Sequence, residues 1–130
     1  MKLHHFGFLT NNMQDCIKQH LLLSYEKYEK YVDDVRLINI QFLKQRNGNI
    51  LLEIVEPLNE KSIAFSLLKK YNNNLYHSCY EVDDLQSSIK HLCDNSFILI
   101  DQPKPAIAFN NRDVCFLMSK NTSIIELLQK

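Results

Sequence analysis

Along "LYHSCYEV" the chain alternates, so that His77, Cys79 and Glu81 fall on one side of an extended segment and Tyr76, Ser78 and Tyr80 on the other. The pattern then changes period. "VDDLQ" is a capping signal with Asp83 or Asp84 as the cap, and "LQSSIKHLC" continues it as a helix. The start of the chain has the same order: "LHHFGFL" suits a strand, and "TNNMQDCIKQHLL" sets Met13, Ile17 and Leu21 four apart behind a polar cap. By alternation His5 shares a face with Gly7, and His4 points away. "SYEKYEKYV", "VRLINIQFL" and, after the "RNGN" turn, "NILLEIV" predict three further strands, the first exposed and suited to an edge. In the second half "FILI", "DVCFLM" and "SIIELL" predict three more. Between the halves "SIAFSLLKKY" places Ile63, Leu67 and Leu68 at helical spacing and ends in "NNN".

The two halves also share residues. At an offset of 72, Leu3 falls on Leu75, His5 on His77, Gln14 on Gln86, Ile17 on Ile89 and Lys18 on Lys90. "LLEIVE" lies over "IIELLQ" at an offset of 73, bringing Glu53 onto Glu126, and Phe42-Leu43 lies over Phe116-Leu117 at 74. The repeat unit is strand, helix, three strands. Such a unit has one apolar face that it cannot bury alone, so an α+β fold is expected in which two tandem βαβββ modules pair into a half-barrel or cup. Module one covers about 1–58, a connecting helix about 61–71 and module two about 74–130, in one domain.

Composition removes several functions. Lys+Arg and Asp+Glu both number 15, so no broad basic field is available to attract nucleic acid. No apolar run approaches the roughly 20 residues that span a bilayer, and "MKLHHFGFL" lacks the h-region and cleavage site of a signal peptide. Cys16, Cys79, Cys93 and Cys115 form no C-x-x-C pair and read as free thiols of a reducing cytoplasm, chiefly small core fillers. With only Gly7 and Gly48, no phosphate-cradling glycine loop exists. The tyrosines of "SYEKYEKY" suit a solvated face or an oligomer edge, which leaves a homodimer open.

Chemistry concentrates at four positions. A lone His on an apolar strand is more often a satisfied core residue than a ligand, and a Glu on a half-buried strand normally faces water. Glu53 and Glu126, however, stand between apolar neighbours, where an unpaired carboxylate is costly. All four of His5, Glu53, His77 and Glu126 occupy repeat-equivalent positions, and two imidazoles with two carboxylates make a complete set of ligands for a divalent transition ion such as Ni, Co, Mn or Zn. An ion so held can polarise a substrate carbonyl and acidify the adjacent C–H, with Glu126 or Glu53 as general base.

The double repeat with "HHFG" near the start, "LEIVEPL" in the middle, "YHSCYEVDDL" after it and "IIELLQ" at the end resembles the vicinal oxygen chelate superfamily, and within it the small glyoxalase and methylmalonyl-CoA epimerase branch. The resemblance spans nearly the whole chain. It implies a cupped glyoxalase-like fold, metal ligands at His5, Glu53, His77 and Glu126, and the C-terminal Glu126 as the catalytic carboxylate. Two departures stand out. Epimerases of this family can place a second carboxylate on the third strand of the first module, where this chain aligns Leu37; and "KPAIAFNNRDVCFLMSKNTS" replaces their Gly-His-Gly-type loop. Gln41, from a strand expected to line the cup, and Arg112, a guanidinium able to clamp a carboxylate or phosphate, are candidate substrate contacts. The function expected is a metal-dependent isomerase or lyase of the glyoxalase or acyl-CoA epimerase type, acting on a small carbonyl or thioester substrate. The alternatives are a metal-free, drug-sequestering binding module and an extradiol-type oxygenase, which typically uses two histidines and one carboxylate.

Overall fold

The computed structural model describes residues 1–130. Its elements run β1 (Lys2–Leu9), α1 (Met13–Leu21), β2 (Tyr25–Asp33), β3 (Ile38–Gln45), β4 (Leu51–Pro57), α2 (Ile63–Tyr71), β5 (Asn74–Val82), α3 (Leu85–Asp94), β6 (Ile98–Ala106), a 3₁₀ turn at Ile107–Phe109, β7 (Arg112–Met118) and β8 (Ile124–Gln129). The chain divides into two compact units: His5–Tyr76, and His77–Lys130 together with Met1–His4.

In the first unit the strands lie in the order β2-β3-β4-β1. β2, β3 and β4 are antiparallel neighbours, and β1 joins β4 in parallel, with Phe6 beside Leu52 and Phe8 beside Ile54. A parallel partner needs a crossover, and the chain between β1 and β4 supplies it. Asn12 starts α1 by accepting a hydrogen bond from the Asp15 N–H, a cap worth about 1 kcal/mol. Cys16 and Ile17 of α1 then pack against Leu43, Leu52 and Ile54, closing one face of the sheet. Strand alternation sends His5, Phe42 and Glu53 to the other face.

The second unit repeats this arrangement as β5-β8-β7-β6, with β5 and β8 parallel. Of the two candidate caps, Asp84 is the one used; its carboxylate accepts from the Ser87 N–H. Leu85 and Ile89 of α3 pack on Val82, Cys115, Leu117, Ile125 and Leu127, of which Cys115, Leu117 and Leu127 are wholly buried. His77, Cys79, Glu81, Glu126 and Phe116 occupy the opposite face, because Cys79 pairs with Glu126 and Phe116 with Glu126 in the two registers.

Two elements differ from the pattern read along the chain. β3 starts at Ile38 rather than Val35, because Asp33 accepts from the Val35 and Arg36 N–H groups, pairs with the Arg36 guanidinium at 3.0 Å, and so closes a turn that ends on Leu37 at φ 55°. β6 continues past "FILI" through Pro103 and Pro105. Prolines are tolerated there since β6 is the terminal strand in its unit's order, and its register to β7 shifts on both sides of Asp101. No helix is long and apolar enough to cross a membrane.

Candidate functional site

Each unit carries one buried His–Glu pair. In the first, His5 Nε2 lies 3.3 Å from Glu53 Oε2, with the residues only 1% and 5% exposed. β1 and β4 set the pair, since Gly7 is the register partner of Glu53 and His5 shares its face. Phe42 stands opposite Glu53 on β3 and meets the His5 ring edge-on at 5.7 Å. The buried carboxylate therefore has an imidazole beside it, as its desolvation demands.

The second unit builds the same group from equivalent residues. His77 Nε2 lies 3.2 Å from Glu126 Oε2, again almost fully buried, and Phe116 stands opposite Glu126 with its ring edge-on to His77 at 5.8 Å. Phe42 and Phe116 thus belong to the site's wall in each unit. Their coincidence under the repeat was the signal for it, although reading for chemistry alone passes over a phenylalanine.

The donor set suits a divalent ion. Imidazole nitrogen and carboxylate oxygen bind at about 2.0–2.2 Å, so two such ligands on one ion lie about 3.0 Å apart in an octahedral arrangement and about 3.4 Å in a tetrahedral one. The observed 3.3 Å and 3.2 Å fall in that interval.

The remaining candidates are differently placed. Gln41 is buried, but it is the register partner of Ile54, on the face that α1 covers, and its side-chain N–H groups donate to the backbone carbonyls of Glu29 and Phe42. Arg112 lies on the His77–Glu126 face, two and four residues from Val114 and Phe116. Its guanidinium donates to Glu81 Oε2 at 2.9 Å and to the carbonyls of Phe109 and Gln129. This charge-assisted bond holds the Glu81 carboxyl below its ordinary range. Cys79 is wholly buried beside Glu126. Cys115 points to the α3 side, and burial, with the negative charge of Glu126, pushes its thiol up to about 12. It is therefore a neutral core residue.

Comparison with known proteins bears on this geometry. Residues 3–116 match the family model described as the Glyoxalase/Bleomycin resistance protein/Dioxygenase superfamily. The chain belongs to that superfamily. The uncharacterized protein YqjC of Bacillus subtilis is 24% identical to this chain over 98% of its length and 91% of YqjC's own. An ethylmalonyl-CoA/methylmalonyl-CoA epimerase of Cereibacter sphaeroides is 32% identical over 62% of this chain and 63% of its own. The crystal structure of methylmalonyl-CoA epimerase from Mycobacterium tuberculosis superposes with a TM-score of 0.82 at 20% identity, covering 98% of this chain and 87% of that one. That superposition shows the glyoxalase-like α+β fold. Within the Glyoxalase/Bleomycin resistance protein/Dioxygenase superfamily, this chain is thus a two-module member with a buried imidazole–carboxylate pair in each module.

Proposed function

We propose that this chain is a metal-dependent isomerase of the epimerase type, acting in the cytoplasm on a 2-substituted acyl thioester, and that His5, Glu53, His77 and Glu126 together hold its single divalent ion. The observation that carries this reading is the pair of repeat-equivalent His–Glu groups, each buried and each at the spacing of two ligands on one ion. Similarity to the epimerases supports the substrate class, and it favours epimerisation over the lyase chemistry that the same donors would serve.

When bound, the ion would supply Lewis-acid polarisation of the thioester carbonyl, acidifying the C–H next to it. The protein's own contributions follow from the pairs. His5 and His77 offer Nε2 as neutral donors, and Phe42 and Phe116 wall the carboxylates from water, which strengthens every charge interaction within. Glu126 takes the proton from the α-carbon. It is the carboxylate nearest the C-terminus, on a buried strand, with the Cys79 side chain as an apolar neighbour in register. Glu53 is its counterpart in the first module and would serve as a ligand.

Proton abstraction has a direct readout. Metal-supplemented protein incubated with a methylmalonyl thioester of coenzyme A in deuterium oxide is expected to exchange the α-proton. Glu126→Gln keeps an oxygen donor but removes the base, and exchange should fall by at least about 10²-fold. Exchange at the wild-type rate in this variant would move the base to Glu53. Absence of exchange in the wild type, with tight retention of a small molecule, would replace the enzyme by a binding module.

A further inference from the structure

Inversion at a carbon needs two proton carriers, one to remove the proton from one side and one to return it to the other. The ligand carboxylate supplies the first. No second carboxylate stands on the Glu53 face of β3, where Ile38, Ile40 and Phe42 are all apolar, and Leu37 lies in the preceding turn. β2 supplies a different group.

The register of β2 on β3 shifts between Lys27 and Lys30. Before the shift Tyr25 and Lys27 pair with Gln45 and Leu43, on the face that α1 covers. After it Tyr31 and Asp33 pair with Ile40 and Ile38, on the face of Phe42 and Glu53. A strand without the bulge would keep Tyr31 on the same side as Tyr25, so the bulge transfers it to the Glu53 face. Gln41 fastens this irregularity, since its buried amide donates to the Glu29 carbonyl. The Tyr31 ring then meets Phe42 edge-on at 6.2 Å, and Phe42 meets His5 at 5.7 Å. The Tyr31 hydroxyl donates to the Glu29 carboxylate. Tyr31 is half-buried on the Glu53 face with its ring against Phe42, and its hydrogen bond to exposed Glu29 is open to solvent, so the dyad can exchange protons with water.

We infer that Tyr31, backed by Glu29, is the second proton carrier of the thioester isomerase proposed above, on which this inference rests. As a base, the Tyr31 oxygen takes the α-proton while its own proton passes to Glu29, and the C–H electron pair enters the enolate. As an acid, the same path runs backward: protonated Glu29, charged from solvent, gives its proton to the Tyr31 oxygen, the phenolic proton goes to carbon, and the enolate pair closes the new C–H bond. No other reactant is consumed. The hydrogen bond to Glu29 raises the Tyr31 pKa above its ordinary value of 10.0, which keeps the hydroxyl protonated and able to relay at neutral pH.

Two measurements test the dyad. In deuterium oxide, a single enantiomer of methylmalonyl-CoA should undergo both exchange and inversion with the wild-type metal-supplemented protein. In Tyr31→Phe the ratio of inversion to exchange should fall by about 10²-fold or more, and in Glu29→Gln by a smaller factor, with metal content equal to wild type in both. An unchanged ratio in Tyr31→Phe overturns the inference while leaving proton abstraction standing. Neither exchange nor inversion in the wild type overturns both. Independently of turnover, the ring-carbon NMR resonance of Tyr31, assigned by its loss in Tyr31→Phe, should ionise above pH 10.0 and shift down in Glu29→Gln. An identical titration in the two proteins would show that no dyad exists.

Discussion

At Glu81 the Arg112 guanidinium favours the ionised carboxylate, so the folded state gives up its proton more readily than the unfolded chain does. A depressed carboxyl pKa stabilises the fold fully above the unfolded value near 4.5, and that contribution is lost as the pH falls through the lower folded value. Chemical denaturation of wild type and Glu81→Gln should therefore show a small penalty at neutral pH that shrinks below pH 4.5. A penalty constant from pH 7 to pH 3 would mean that Glu81 acts through packing. Both partners are partly exposed, so the effect is modest. At this same scale the repeat singles out His5, Glu53, His77 and Glu126 from the chain alone, because it marks equivalent positions without any knowledge of contacts, and the structure buries all four. It passes over Gln41 and Tyr31. Their roles depend on a bulge that reverses strand parity, and strict alternation along "SYEKYEKYV" carries no sign of the extra residue.

The elements were legible where period and cap agreed. α1 and α3 begin at polar caps, Asn12 and Asp84, whose side chains satisfy the first-turn N–H groups that a sequence reader expects them to satisfy. The sequence pattern makes β3 too long and β6 too short for opposite reasons: the Asp33–Arg36 turn imitates an apolar strand start, and two prolines disguise a strand whose outer edge needs no N–H donors. The cysteines test how the elements pack. Cys16 on α1, Cys79 on β5 and Cys115 on β7 are buried, and Cys93 near the end of α3 is exposed. Burial also raises the Cys16 and Cys115 thiols. Alkylation of the native protein at pH 8 should label one thiol rapidly, Cys93, and all four only after denaturation. Rapid labelling of Cys79 would contradict its place within the sheet.

On the scale of the whole molecule, the repeat is what links sequence to chemistry. Two βαβββ modules each bring one imidazole, one carboxylate and one phenylalanine to the sheet face left uncovered by the helix, and membership of the Glyoxalase/Bleomycin resistance protein/Dioxygenase superfamily accords with that plan. The central claim is that the two pairs serve one ion. Elemental analysis of metal-supplemented, desalted protein measures it most directly, applied to wild type and to Glu53→Ala and His77→Ala, one substitution in each module. The account predicts about one divalent ion per chain in the wild type and loss of that ion from both variants, since either substitution removes a ligand of the same centre. Equal metal content in all three proteins, or two ions per chain lost one at a time, would contradict it.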